Sequence, residues 1–134
     1  MTAPIAAAER LLAFVDASPT PFHVCAAAAK RLEEAGFTRH DLRDQWQSGP
    51  QRGYAIVGGS LIAWHVGDLA TAHQGFRVVG AHTDSPNLRL KQNHDSVRTG
   101  STMVALEPYG GPLLESWLDL DLGIAGRVFL HGGR

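Results

Sequence analysis

Cysteine is nearly absent from this chain of 134 residues, occurring once as Cys25, which removes an internal disulfide and any thiolate zinc cluster. Cys25 stands among alanines on a predicted helix and reads as a buried, inert thiol rather than a nucleophile. A surplus of charge is missing too. Twelve Lys and Arg face 13 Asp and Glu for a net charge of -1, and the basic residues are scattered. That balance argues against a nucleic-acid partner or an anionic membrane surface. No apolar run approaches membrane-spanning length, and Met1-Thr2-Ala3-Pro4 carries no basic leader segment, so a cytoplasmic location is expected. Repeats and low-complexity tracts are lacking. A chain of this length has the size of one ordinary domain and could bury roughly two-thirds of its unfolded surface.

What is present begins with helical spacing. Ile5, Ala8, Leu11, Leu12 and Val15 form an apolar stripe that Ser18-Pro19 ends, and the stripe predicts burial against a neighbour. Thr20 can cap a second helix with Pro21 in its first turn and Gly36 as its left-handed exit. His23 lies in that first turn, where a structural role is expected. A polar loop from His40 to Gly53, containing Trp46 and Pro50, then gives way to strand character at Tyr54–Val57 and Ser60–Val66. Gly58-Gly59 reads as their hairpin turn, without the lysine and spacing of a phosphate loop.

The most informative run is Val78-Val79-Gly80-Ala81-His82-Thr83-Asp84-Ser85-Pro86. Phe76–Ala81 has the composition of an apolar strand, and ligands in open α/β sheets gather beyond the carboxyl ends of strands. His82 sits at such an end. An imidazole that binds zinc needs its other N–H fixed by a carboxylate or carbonyl, and Asp84, two residues on in an extended segment, is spaced to supply it. Taken alone, a His-x-Asp pair is more often a loop histidine satisfied by an aspartate. His65, His73 and His94 have no spaced ligand partner and read as structural or solvated. Asp119 and Asp121 read as turn residues that cap amides or stay hydrated.

Beyond Lys91 the texture changes. A polar stretch reaches Ser101, followed by predicted short strands at Thr102–Leu106, Leu113–Leu118 and Arg127–His131, with turns at Pro108–Pro112 and Gly132-Gly133. The strand at Leu88–Lys91 alternates and predicts one wet face. The expected organisation is an α/β front part over residues 1–91 and the start of a β-rich unit over 92–134. The last strand and turn have no strand to return to, which reads as a β-meander interrupted midway.

Several blocks in this order resemble the amino-terminal part of the aspartyl aminopeptidase family of dinuclear zinc exopeptidases. They are Ser18-Pro19-Thr20-Pro21-Phe22-His23, Leu32-Glu33-Glu34-Ala35-Gly36-Phe37, Ser60-Leu61-Ile62-Ala63-Trp64, Gly80–Lys91, and Pro108-Tyr109-Gly110-Gly111 through Asp119. The resemblance runs from about Leu11 to Val128. It implies a zinc-exopeptidase-like α/β catalytic domain interrupted by a β-rich dimerisation domain, and a homo-oligomer acting on peptide substrates. It further implies His82 as a metal ligand, Asp84 as the residue that orients it, and two zinc ions per complete site that activate water. The other expected ligands, further acidic residues and a late histidine, have no counterpart in this chain. Glu115 falls in a segment that in the family approaches a neighbouring subunit's substrate pocket, where many members carry a histidine. A carboxylate there disfavours acidic amino-terminal residues. Leu120 stands where an arginine is usual between the two aspartates.

The resulting expectation is a fragment of a zinc aminopeptidase, catalytically silent alone because one oriented imidazole cannot hold two metals. The alternative is a non-catalytic chain that keeps only oligomer assembly. A third reading is a small domain in which His82 and Asp84 merely satisfy each other.

Overall fold

Helix-terminus chemistry sets the first third of the chain. The computed structural model describes residues 3–46, 51–67 and 75–132. Helix α1 spans Ala3–Asp16 and helix α2 spans Pro21–Glu34. Thr20 caps α2 as expected, with its Oγ1 accepting from the His23 amide at 3.4 Å and lying 2.8 Å from His23 Nδ1. Pro21 follows in the first turn, where its missing N–H costs nothing. At the other end Gly36 has φ of 81°. Its N–H donates to Glu33 and that of Phe37 to Leu32, both at 2.9 Å, the paired closure of a Schellman motif.

Packing divides the chain into two units, Met1–Thr83 with Ala125–Arg134, and Asp84–Ile124. The first unit holds a three-stranded sheet in the order β1 (Thr38–Arg39), β2 (Arg52–Val57), β3 (Ser60–His65). β1 lies parallel to β2, while β2 and β3 form the expected hairpin around Gly58-Gly59, with Gly58 at φ of 58°. Gly59 is needed for closeness: a Cβ there would come within 2.7 Å of Pro21 Cβ. Being paired on both sides, β2 supplies most of the core. Tyr54 and Ala55 are buried, as is Cys25 on α2, in accord with the inert-thiol reading. The Tyr54 hydroxyl donates to Glu33 Oε1, tying the sheet to the helix. Burial and that bond raise the Tyr54 phenol above its ordinary range.

Beside this core the polar loop after β1 is ordered by a turn. Asp41 accepts from the Arg43 amide at 2.9 Å and from its guanidinium at 2.7 and 3.0 Å. The Asp41 carbonyl accepts from Trp46 Nε1 at 2.8 Å. Trp46 stacks on Trp64 with centroids 5.1 Å apart, and His40 leans on both rings at 4.9 and 5.3 Å. Pro50 of the expected loop, His73 and Gly133 lie outside the described residues.

The second unit is a long antiparallel hairpin, β4 (Asn87–Arg98) with β5 (Ser101–Tyr109). Its loop is Thr99-Gly100, at φ of 51° and 82°. Two positive angles give the primed turn whose twist suits a hairpin. Leu90 pairs with Leu106 and Asp95 with Val104, so Lys91, Gln92, Asn93 and His94 bulge opposite the single residue Ala105. Lys91, Gln92, Asn93 and Glu107 line a depression of about 540 Å³ there.

Five expectations are corrected. Phe76–Ala81 is not a strand: no described residue pairs with it, and Phe76, Val78 and Val79 are 98%, 85% and 98% exposed. The apolar stripe of α1 is likewise exposed at Ile5, Leu11, Leu12 and Val15. Pro108 and Tyr109, expected in a turn, continue strand β5, because cross-strand pairing overrides their weak propensity; the polar stretch after Lys91 belongs to β4. Leu113–Leu118 forms no strand; Leu114–Trp117 is a short 3-10 helix, since the amide and hydroxyl of Ser116 both donate to the Leu113 carbonyl, at 2.9 and 2.7 Å. Arg127–His131 is also not a strand; instead the Arg127 guanidinium lies 3.9 Å from the centroid of the Phe22 ring.

Gly53 generates a sharp prediction. A Cβ there would lie 2.4 Å from Trp64 Cζ2, a ring already held by Trp46 and His40. Gly53→Ala is expected to destabilise by about 1–3 kcal/mol, whereas Gly111→Ala, with nothing within 4 Å, leaves the thermal midpoint in place. Removing the α2 cap by Thr20→Ala is expected to cost about 1 kcal/mol in urea unfolding.

Candidate metal centre

His82 belongs to the first unit and follows the exposed run that ends at Ala81; it is exposed too. The next residue is anchored. Thr83 Oγ1 donates to the Gly59 carbonyl at 2.7 Å, at the β2–β3 turn that packs on Pro21 of α2. The histidine thus precedes a residue tethered to the β2–β3 turn.

Asp84 opens the second unit and is half-buried. Its Oδ2 accepts from the Tyr109 hydroxyl at 2.7 Å. Tyr109 ends β5 directly opposite Asn87, and the Arg89 guanidinium lies 3.3 Å from its ring centroid. The Asp84 hydrogen bond, helped by that carboxylate's charge and by desolvation, raises the Tyr109 phenol above its ordinary value, while Arg89 opposes the rise. Neighbouring backbone supports the arrangement. Asn87 Nδ2 donates to the Ser85 carbonyl at 2.8 Å, and Gly110, at φ of 75°, would place a Cβ 3.4 Å from Pro86 Cα.

Tyr109 and Arg89 were invisible to motif reading. Pro-Tyr-Gly-Gly looks like a turn, and nothing in a gap of 25 residues announces the contact with Asp84. Strand alternation in Leu88–Lys91 was the one available clue, since a hairpin partner must exist for it.

The remaining expected residues are dispersed. Glu115 is exposed on the short helix Leu114–Trp117. Asp119 is exposed at φ of 60°, as befits a turn, and Asp121 is exposed as well. His94 Nε2 lies 3.4 Å from Asp95 Oδ1 on the bulged strand, His65 meets the Phe37 ring edge-on, and His23 serves the α2 cap. Among the described residues no group of three or more His, Cys, Asp or Glu could hold a metal ion. His82 fits as one imidazole donor of a zinc site, but the described residues do not complete one. No helix among them is long and apolar enough to cross a membrane.

Residues 14–133 match the family model described as aminopeptidase I zinc metalloprotease (M18). The chain is 52% identical over 125 residues to a probable M18 family aminopeptidase 2 of Streptomyces coelicolor, covering 93% of this chain and 29% of that protein. A protein of the same description from Mycobacterium tuberculosis is 50% identical over 128 residues, covering 96% and 30%. Among solved structures, a cryo-EM structure of the Ape4 and Nbr1 complex superposes with a TM-score of 0.87 at 35% identity, over 95% of this chain and 25% of that one. The chain spans less than a third of the length of these relatives. By a match that covers nearly all of its residues, this chain belongs to the M18 family of zinc metalloproteases.

Proposed function

We propose that the chain is the front part of a zinc aminopeptidase that removes single amino-terminal residues from peptides. The observation that carries this reading is the coincidence of the family match over residues 14–133 with an exposed His82 beside a tethered Thr83. His82 supplies one metal-binding nitrogen, and Asp84 holds the other ring nitrogen so that the ring keeps one tautomer. Zinc, when bound in such a site, supplies a Lewis acid and lowers the pKa of its water toward ~7. A complete site of this class takes two zinc ions, and its other donors come from polypeptide beyond the reach of the residues described.

In the complete protein the β-rich part, which begins with the β4–β5 ribbon, serves dimerisation. Both outer edges of this two-stranded sheet are unpaired among the described residues, an arrangement suited to accepting further strands. The protein works as a cytoplasmic homo-oligomer on peptide substrates. Glu115 lies near the substrate pocket, where its charge shifts preference from acidic toward neutral or basic amino-terminal residues. The competing reading, a chain that only assembles, differs in metal content: it binds no zinc yet still associates.

Two measurements test the proposal. The purified chain, given zinc and an aminoacyl chromogenic amide, is expected to show no turnover above buffer; turnover that His82→Ala abolishes contradicts the assignment of the missing donors elsewhere. In the complete enzyme polypeptide, His82→Ala is expected to lower bound zinc from about two ions. There Glu115→Gln raises turnover of an acidic amide relative to a neutral one by about three- to tenfold, the scale of one partly screened charge pair. An unchanged ratio removes Glu115 from the pocket.

A further inference from the structure

The β4–β5 ribbon of the second unit has a second register open to it. From the Thr99-Gly100 turn the pairs run Arg98 with Ser101, Val97 with Thr102, Ser96 with Met103 and Asp95 with Val104; past the bulge they resume as Leu90 with Leu106, Arg89 with Glu107, Leu88 with Pro108 and Asn87 with Tyr109. Continuing the first set without a bulge would instead place Asn93 opposite Leu106, Gln92 opposite Glu107, Lys91 opposite Pro108 and Leu90 opposite Tyr109. Backbone pairing does not favour the observed choice, because the bulge-free ladder is at least as long and meets the donor-free Pro108 in either case. Burial does not decide it either. β4 is exposed from Arg89 to Arg98, and a ribbon with two wet faces specifies its register weakly.

Side chains at the base of the ribbon do decide it. The two ladders differ by three residues, and an odd shift turns every side chain in the base half of β4 to the other face. In the observed register Arg89 stands opposite Glu107, with Tyr109 two residues on along β5 and on the same face, so the Arg89 guanidinium lies 3.3 Å from the Tyr109 ring centroid. Leu90 stands opposite Leu106. The Tyr109 hydroxyl reaches Asp84 Oδ2 at 2.7 Å, a charge-assisted bond, and Gly110 closes on Pro86. In the bulge-free ladder Tyr109 lies opposite Leu90, on the face away from Arg89.

We infer that the β4–β5 ribbon is a two-register device: Tyr109, gripped by Arg89 and Asp84, selects the bulged register, and release of that grip lets β5 slide by three residues along β4 into the bulge-free one. The slide covers about 10 Å. It withdraws the Tyr109 hydroxyl from Asp84 and closes the depression between Lys91, Gln92, Asn93 and Glu107, since Gln92 then stands opposite Glu107. Every residue involved belongs to the second unit, and the device requires no bound metal.

Cross-strand backbone NOEs in the full chain read the register directly. The unaltered protein is expected to show contacts of Leu90 with Leu106 and of Arg89 with Glu107. Tyr109→Ala is expected to move the ratio of registers toward the bulge-free form by about tenfold or more, the scale of a charge-assisted hydrogen bond together with a cation–π contact. New contacts of Gln92 with Glu107 and of Asn93 with Leu106 report that form. A chain lacking residues 92–94 supplies the control, because Leu90 then meets Leu106 in an unbroken ladder with no slack to slide; there Tyr109→Ala is expected to leave the register in place, and a changed register overturns the inference. It is also overturned if Tyr109→Ala in the full chain keeps the Leu90 contact with Leu106 alone, or frays the base without forming the new pairs. Should the substitution erase every cross-strand contact, saturation-transfer exchange measurements on the unaltered chain decide the matter. A minor state in which residues 91–94 pair with 105–108 supports the device, and its absence overturns it.

Discussion

Every strand in this protein exists because another strand satisfies its backbone, and the rest of the structure follows from where such partners are found. β2 has one on each side and buries Tyr54 and Ala55. β4 and β5 have one each and remain largely exposed along their length. Phe76–Ala81, the most strand-like run in composition, has no partner among the described residues and stays unburied. Composition favours an extended backbone there, but only neighbouring N–H and C=O groups turn an extended segment into a strand.

The same constraint explains the exposed apolar residues. An apolar stripe on α1 and the bare Phe76, Val78 and Val79 are surfaces shaped for burial, and the chain spans under a third of its relatives' length. Stability of the residues described therefore concentrates in few places: the α2 caps, the Tyr54 contact with Glu33, and the Trp46–Trp64 stack with His40. A two-stranded ribbon such as β4–β5 is marginal by itself in water, which makes the Asp84–Tyr109 bond and the Arg89 cover on its closing end more consequential than their exposure suggests.

Much of the local structure was readable without coordinates. Both helices, their stop signals, the Thr20 cap, the Gly36 exit and the Gly58-Gly59 hairpin depend on neighbours within a few residues, and short-range chemistry is what sequence patterns encode. The failures share one cause. The apolar character of Leu113–Leu118 predicts a strand, while the Ser116 bonds that wind it into a 3-10 turn leave no trace in the sequence pattern. Residues 92–98 are polar and carry no strand pattern of their own, yet β5 pairs with Asp95, Ser96, Val97 and Arg98, and the bulge at 91–94 accommodates the mismatch.

The proposal of His82 and Asp84 as a ligand and its orienting partner rests on residue type, an interval of two, and the company of blocks that place the chain in its family. These are properties of the linear order, because an imidazole and a carboxylate two apart on extended backbone share a side whatever surrounds them. What only the tertiary structure decided is who holds Asp84. Tyr109 lies 25 residues away, and its hydroxyl arrives through a hairpin whose register is set by a primed turn at Thr99-Gly100 and shifted by a four-residue bulge. No local pattern carries that information, since the contact is the sum of pairings between strands rather than a preference of any residue.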